Sequence, residues 1–250
     1  MNAGKAIGVI PARWGSTRFP GKSLALIAGK PLIVRVVEQA MKARRLERVV
    51  VATDDLRIAR AVESCGVHVA MTRPDHPSGT DRVAEAVRGV EAEVIVNVQG
   101  DEPLVDPGLI DRLAEVLLQD ANWDMATAAS PIREVAHLSN PAIVKVVWDR
   151  SRRALYFSRW AIPFVRDGDA ASVPHWRHIG IYAYRRAFLD RMVADPPCAL
   201  ERAEKLEQLR ALDMGGRMVV LETDSFDAGV DTPADVQYVE AALRRQAEGR

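Results

Sequence analysis

Pro11 to Lys22 reads PARWGSTRFPGK, and these residues gather three cations (Arg13, Arg18, Lys22), two hydroxyls (Ser16, Thr17) and two glycines (Gly15, Gly21). Cations and free backbone N–H groups in such a loop suit a polyphosphate. A solvated surface loop would carry the same charges without binding anything. Three more polar clusters interrupt apolar segments. Arg73 to Arg82 (RPDHPSGTDR) offers Ser78, Gly79 and Thr80 to a flat base or a ribose; Ser78 or Thr80 would equally cap a helix. Gln99-Gly100-Asp101-Glu102-Pro103 follows the apolar run VIVNV, and a carboxylate there reads as a Mg²⁺ ligand, since Mg²⁺ takes one or two carboxylates plus phosphate oxygens and water. Gly229-Val230-Asp231-Thr232-Pro233 supplies a second carboxylate, although Asp231 or Thr232 would also cap a terminal helix.

Other chemistries find less support. The glycines Gly8, Gly15, Gly21 and Gly29 do not fit G-x-G-x-x-G, and the GKS at Gly21–Ser23 lacks the upstream glycine of a P-loop. None of the five histidines shows metal spacing. His178 stands apart because Arg177-His178 opens an apolar strand. No Ser–His or Cys–His pairing emerges to support covalent catalysis.

The 250 residues carry 34 basic and 34 acidic side chains, a formal net charge of zero, which argues against nucleic acid as main partner. Cys65 and Cys198 lie far apart and offer no disulfide framework, as expected of a reducing cytoplasm. No apolar stretch approaches a membrane span, and the N-terminus lacks the order of a signal peptide.

The elements that must position these clusters follow from periodicity. Ala6–Ile10 reads as a buried first strand, and Ile33, Val36, Val37, Ala40 and Met41 as one face of a helix. Strands are expected at Arg48–Ala52, Val67–Met71 and Val94–Val98. Helices are expected from a Thr53 or Asp54 cap to Ser64, over Asp81–Gly89, and around Leu109–Leu117. This β-α-β-α order predicts an α/β fold, a mostly parallel sheet with helices on both faces. From about Met125 the pattern turns β-rich, with a hairpin expected from Val144–Trp148 and Ala154–Ser158. A helix over Glu201–Met214, a strand at Met218–Leu221 and a terminal helix from Pro233 complete the chain. One α/β domain spanning 1–250, with an embedded β-rich lobe at about 125–200, fits better than two separable domains.

Taken together, PARWGSTRFPGK, TRPDHPSGTDR, VNVQGDEP and GVDTPAD, followed by KVVWD, ALYFSR, RHIGIYAYR and KLEQLRAL, resemble the ordered motifs of the CMP-Kdo synthetase (3-deoxy-manno-octulosonate cytidylyltransferase) family. The resemblance runs from about Ile7 to Val236. The first motif recurs in sialic-acid cytidylyltransferases; ALYFSR, HIGIY and LEQLR are more specific to the Kdo enzymes.

The resemblance implies CTP + Kdo → CMP-Kdo + pyrophosphate, serving lipopolysaccharide biosynthesis in the cytoplasm. It implies a nucleotide-diphospho-sugar-transferase-like (Rossmann-like) fold, whose lobe mediates dimerisation and sugar binding in a homodimer. Arg13 and Lys22 are then expected on the triphosphate with Ser16 and Arg18 in support, and Asp101 and Asp231 on Mg²⁺. Arg73, Ser78, Gly79 and Thr80 are expected around the cytidine. Gln99, Arg159, Arg177, His178, Tyr182, Glu207 and Gln208 are expected around Kdo. Trp14, Phe19, Asp81 and Ala234 depart from the family's common residues and bear on specificity, with 8-amino-Kdo or a sialic acid as alternative substrates. A catalytically silent nucleotide-binding protein is the rival from another class.

Overall fold

The computed structural model describes residues 5–15, 19–168, 173–224 and 229–248. Two compact units emerge, Met1–Leu118 with Asp227–Arg250, and Gln119–Phe226. Among the described residues no helix is long and apolar enough to cross a membrane.

The first unit runs through β1 (Ala6–Ala12), the short pair β2 (Leu26–Ile27) and β3 (Lys30–Pro31), α1 (Leu32–Ala40), β4 (Leu46–Thr53), α2 (Leu56–Val62), β5 (His68–Met71), α3 (Gly79–Ala86), β6 (Val94–Asn97) and α4 (Pro107–Gln119). Its strands lie in the order β6-β1-β4-β5, all parallel. β1 and β6 are continuous apolar runs because both faces of such a sheet are covered: Ile7, Val9, Ile10, Val94, Ile95 and Val96 are fully buried. α1 turns Ile33, Val36, Val37 and Ala40 inward as expected, whereas Met41, expected on the same face, caps the helix and is half exposed.

The α2 cap differs from expectation. Asp55, not Thr53 or Asp54, accepts the Arg57 N–H at 2.8 Å. Thr53 is still the last residue of β4, and the Asp54 carboxylate is taken by the Arg82 guanidinium at 3.1 Å. The next free carboxylate therefore makes the cap.

The chain builds β1, β4 and β5 outward in one direction, then crosses to place β6 on the other side of β1. The carboxyl ends of β1 and β6 flank this reversal, where open α/β sheets leave a crevice for ligands.

The second unit holds β7 (Met125–Pro131), β8 (Lys145–Trp148), β9 (Ala154–Ser158), β10 (Trp176–Arg185), α5 (Arg186–Ala194), α6 (Ala199–Glu204), α7 (Gln208–Asp213) and β11 (Met218–Glu222), after which α8 (Pro233–Glu248) returns to the first unit. β7 lies between antiparallel β10 and parallel β11, and β8 pairs with β9 in the expected hairpin.

The single helix expected over 201–214 is instead two, broken at Lys205, which is left-handed at φ 54° and ψ 48°. Arg159 supplies the cause. Its guanidinium donates to the carbonyls of Glu204 (2.7 Å) and Lys205 (3.4 Å), which gives carbonyls at the end of α6 partners outside the helix. The Glu204 carboxylate in turn accepts from Ser158 Oγ (2.7 Å) and the Arg159 N–H (2.9 Å).

Lys145 organises the same corner. Its side chain is fully buried, and Nζ donates to the carbonyls of Asn140 (3.1 Å), Ile143 (2.6 Å) and Arg159 (2.5 Å). Burial pulls its pKa down, against the opposing charge of Glu204. Three carbonyls use all three ammonium donors, so the group is satisfied. Lys145→Met would strand those acceptors, and we expect it to cost about 2–4 kcal/mol. Urea unfolding of the variant checks this. A loss under about 0.5 kcal/mol, the size of a neutral surface change, would show that the ammonium does not hold the corner.

Candidate active site

The crevice at the ends of β1 and β6 is a cleft of about 310 Å³, lined by Arg13, Lys22, Ser78, Gly79, Gln99, Asp101 and Asp231 among others. The strands contribute from the loops that follow them, and α3 from its start. β1 leads into Arg13, β6 into Gln99-Gly100-Asp101, and the turn before α8 carries Asp231.

Lys22 lies at the centre. Its Nζ is 2.6 Å from Asp101 Oδ2 and 3.1 Å from Asp231 Oδ1, so one ammonium bridges two carboxylates from distant parts of the chain. Backbone contacts fix the two aspartates. The Val230 N–H donates to the Asp101 carbonyl at 2.8 Å. Asp235 accepts from the N–H groups of Asp231 (2.9 Å) and Thr232 (2.7 Å) and from the Thr232 hydroxyl (2.9 Å). This is the N3 half of a capping box, with Thr232 as the cap. Burial works to raise the Asp235 carboxyl; these hydrogen bonds and the nearby Lys22 charge outweigh it and hold the pKa below the usual range. Asp231 is thereby left to face Lys22 while its neighbour secures the helix.

Two glycines are dictated by geometry. A Cβ on Gly100 would stand 2.6 Å from the Pro11 carbonyl oxygen, so only glycine lets the Asp101 loop lie against β1. Gly21 has φ +70°, and a Cβ there would meet the Trp14 ring at 2.8 Å. The Trp14 ring is covered by the Arg57 guanidinium at 3.3 Å.

The other expected nucleotide residues divide. Ser78 and Gly79 line the cleft, and Ser78 also caps α3, accepting the Asp81 N–H at 3.2 Å. Arg73 and Thr80 are not among the lining residues. The Arg73 N–H donates to Glu85 Oε2 at 3.2 Å and Thr80 is buried. Ser16 and Arg18 lie outside the described residues.

Sequence reasoning missed Arg82 and His76, which also line the cleft. Arg82 is 3% exposed, and donates to Thr72 and Asp54. His76 pairs with Glu85. Burial works to raise the Glu85 carboxyl; the His76 hydrogen bond and the Arg73 amide lower it further than burial raises it. A signal for Arg82 was present: once Ser78 starts a helix, positions three and four later share its face.

The residues expected around the sugar are Gln99, in the cleft of the first unit, and six residues of the second. In the second unit, strand register sets Arg177 opposite Lys145, and Lys145 opposite Ser158, so Arg177, His178 and Arg159 share one end of that sheet. The Arg159 guanidinium also reaches the Pro141 carbonyl (2.9 Å), so among the described residues these three carbonyls take three of its five N–H groups. Gln208 is buried at the start of α7, and Glu207 accepts from Arg210 Nη2 at 3.3 Å.

The pairing of β10 with β7 shifts between Ile179 and Tyr182, a bulge of the kind that re-aims side chains. The His178 and Tyr182 rings lie 5.4 Å apart, and Phe157 meets His178 edge-on at 4.9 Å. Thr127 Oγ1 is 2.8 Å from the Ile181 carbonyl and 2.9 Å from His178 Nε2. With the hydroxyl proton on Ile181, the imidazole is assigned as the Nε2-protonated tautomer.

Burial, with the Arg177 charge adding, pulls the His178 pKa down to about 3. The unfolded ring takes a proton near 6.5. Between those values the unfolded chain binds more protons, so stability rises with pH and is lost as pH falls from about 6.5. We expect this group to contribute a slope of up to about 1.4 kcal/mol per pH unit in that window, and His178→Gln to flatten it. Urea midpoints at pH 7, 6 and 5 for both proteins check this; equal slopes would refute it.

Comparison with known proteins agrees with this architecture. A family model described as cytidylyltransferase matches residues 7–219. A 3-deoxy-manno-octulosonate cytidylyltransferase of Syntrophobacter fumaroxidans is 49% identical over 98% of this chain and 99% of its own length. One from Pseudomonas syringae pv. syringae is 51% identical, over 96% and 97%. A solved structure of a CMP:2-keto-3-deoxy-manno-octonic acid synthetase complexed with CTP superposes with a TM-score of 0.92 at 42% identity, covering 97% of this chain and 99% of that one. A chain alike over nearly its whole length, with the cleft at the reversal point of its sheet, belongs to the 3-deoxy-manno-octulosonate cytidylyltransferase family.

Proposed function

We propose that the protein transfers CMP from CTP to Kdo, releasing pyrophosphate, and that Mg²⁺ is its cofactor. The observation that carries the reading is the pair of carboxylates, Asp101 and Asp231, gathered with Lys22 in a cleft that Arg13 also lines. Identities of 49% and 51% to relatives named for this reaction support the choice of substrates.

The donor set fits Mg²⁺. Among the described residues no group of three or more His, Cys, Asp or Glu could hold a metal by itself. Two carboxylates in a cleft suit an ion whose remaining ligands are phosphate oxygens and water. Asp101 and Asp231 would hold it, and when bound it offsets phosphate charge and lowers the pKa of the attacking hydroxyl.

In the reaction the C2 hydroxyl oxygen of the sugar bonds to the α-phosphorus. The bond from that phosphorus to the bridging oxygen breaks, pyrophosphate leaves with the electron pair, and the hydroxyl proton passes to water. Little covalent work falls to the protein; its side chains position and stabilise charge. Arg13 and Lys22 bind the triphosphate and offset the charge growing on the leaving group. Ser78 and Gly79 border the base and ribose. Arg159 and Arg177 meet the sugar carboxylate, with His178 Nδ1, a neutral acceptor, and Tyr182 for hydroxyls.

The same reading places the enzyme in lipopolysaccharide biosynthesis, in the cytoplasm, as a homodimer. Two free thiols accord with the compartment. Leu155, Trp160 and Phe164 are 51%, 77% and 81% exposed on the second unit, apolar side chains of the kind a second copy covers.

Pyrophosphate release from CTP with Kdo, 8-amino-Kdo and a sialic acid tests the assignment. We expect Kdo to be preferred; preference for either of the others, or silence with all three, would overturn it. Asp101→Asn should lower kcat by about a hundredfold or more with little change in the urea midpoint. Near-normal turnover would remove Asp101 from the metal site.

A further inference from the structure

Lys22 is required in two places that one position cannot serve. The proposed reaction sets it on the triphosphate, yet its Nζ lies against Asp101 Oδ2 at 2.6 Å and Asp231 Oδ1 at 3.1 Å. Mg²⁺ binds carboxylate oxygens at about 2.0–2.1 Å, so an ion shared by these two groups and an ammonium bridging them compete for the same oxygens. Like charge adds to the exclusion.

The local structure makes Lys22 the part that moves. Asp101 and Asp231 are tied to each other by the backbone bond from Val230 N–H to the Asp101 carbonyl, and the turn before α8 is held by Asp235. Lys22 opens a three-residue 3₁₀ turn after Gly21, and its side chain lines the cleft and is 17% exposed. Asp101 and Asp231 are 31% and 46% exposed, so the contact opens without unpacking a core. Lysine suits such an exchange, because a compact point charge on a long flexible stem re-aims where a guanidinium fork would not.

We propose that Lys22 is an exchangeable counter-ion that holds the two aspartates until a nucleotide draws it away. The triphosphate offers its ammonium new anionic oxygens, and the carboxylates are released to a divalent cation at that moment. Metal and nucleotide therefore enter together, and the free enzyme has little affinity for metal alone. Lys22 acts here as a positioning residue for the ion as well as a phosphate ligand. The inference rests on the metal site proposed above.

Binding of Mn²⁺ alone, without nucleotide, tests it. The free-ion paramagnetic resonance signal is titrated with wild type, Lys22→Met, Lys22→Gln, Lys22→Arg and the double variant Lys22→Met/Asp101→Asn, each checked for native circular dichroism. We expect weak binding by wild type and Lys22→Arg, which keep a cation in place. Lys22→Met and Lys22→Gln should bind about tenfold tighter or more, and Asp101→Asn should abolish that gain. If neither neutral variant binds tighter than wild type while Asp101→Asn still loses turnover, the exchange is wrong and the metal site stands. If the gain survives Asp101→Asn, the ion is not held by the Asp101–Asp231 pair and both readings fall.

Discussion

Two carboxylates that face one another need a cation between them, and the first unit is arranged around that need. Asp101 comes from the loop after β6, Lys22 from the loop after β1, and Asp231 from the turn before α8. The parallel sheet brings the first two together, because adjacent strands on either side of the reversal release their loops into the same crevice. The third depends on where the chain returns after residue 226. Its landing is fixed by the Val230 contact to Asp101 and by the half capping box on Asp235. Gly100 is the condition beneath these contacts, since any side chain there would push the Asp101 loop off the Pro11 carbonyl.

Most of the first unit was legible because it is written in local signals. Buried parallel strands read as unbroken apolar runs, and α1 as a 3.6-residue period. Asp101 was legible for a related reason: an acidic residue at the end of a buried strand stands out from its surroundings. The partner of Lys22 was not, since the pairing spans 79 residues to one aspartate and 209 to the other. The α2 cap went astray by one or two residues because Asp54 was already engaged by Arg82, a tertiary contact invisible to a capping rule. The helix over 201–214 failed for the same reason. Nothing in Glu204-Lys205-Leu206 breaks a helix, and the break comes from Arg159, about 45 residues away, claiming the carbonyls.

The second unit shows how a fold can bury charge. Lys145 gives its donors to three carbonyls, and Arg210 gives its own to the carbonyls of Met192 and Asp195 and to both oxygens of Glu201. Each ties segments that regular secondary structure cannot tie, since loop carbonyls and the last carbonyls of a helix have no ladder partner. His178 is the opposite solution: it is buried by losing its charge, and one hydroxyl satisfies the nitrogen that remains a donor. Lys145 sits in the apolar run VKVVW, where a lysine reads as a solvent-facing residue of a half-buried strand. Its burial depends on carbonyls contributed by the 140–143 and 159 segments.

The chemistry of the cations follows their duties. Arg159 and Arg210 hold several fixed acceptors at once, and a planar fork loses little freedom in doing so. An arginine there stays put. Lys22 faces a different demand, because the groups it neutralises in the free protein are the ones proposed to bind metal during turnover. A bidentate guanidinium on Asp101 would be a stronger partner and for that reason a worse one, since its departure would cost more. Lysine at this position keeps the carboxylates close together without making them inaccessible. The same logic accounts for the partial exposure of the cluster: buried deeper, the three charges would bind one another too tightly to exchange, and fully exposed they would not hold the two loops in register.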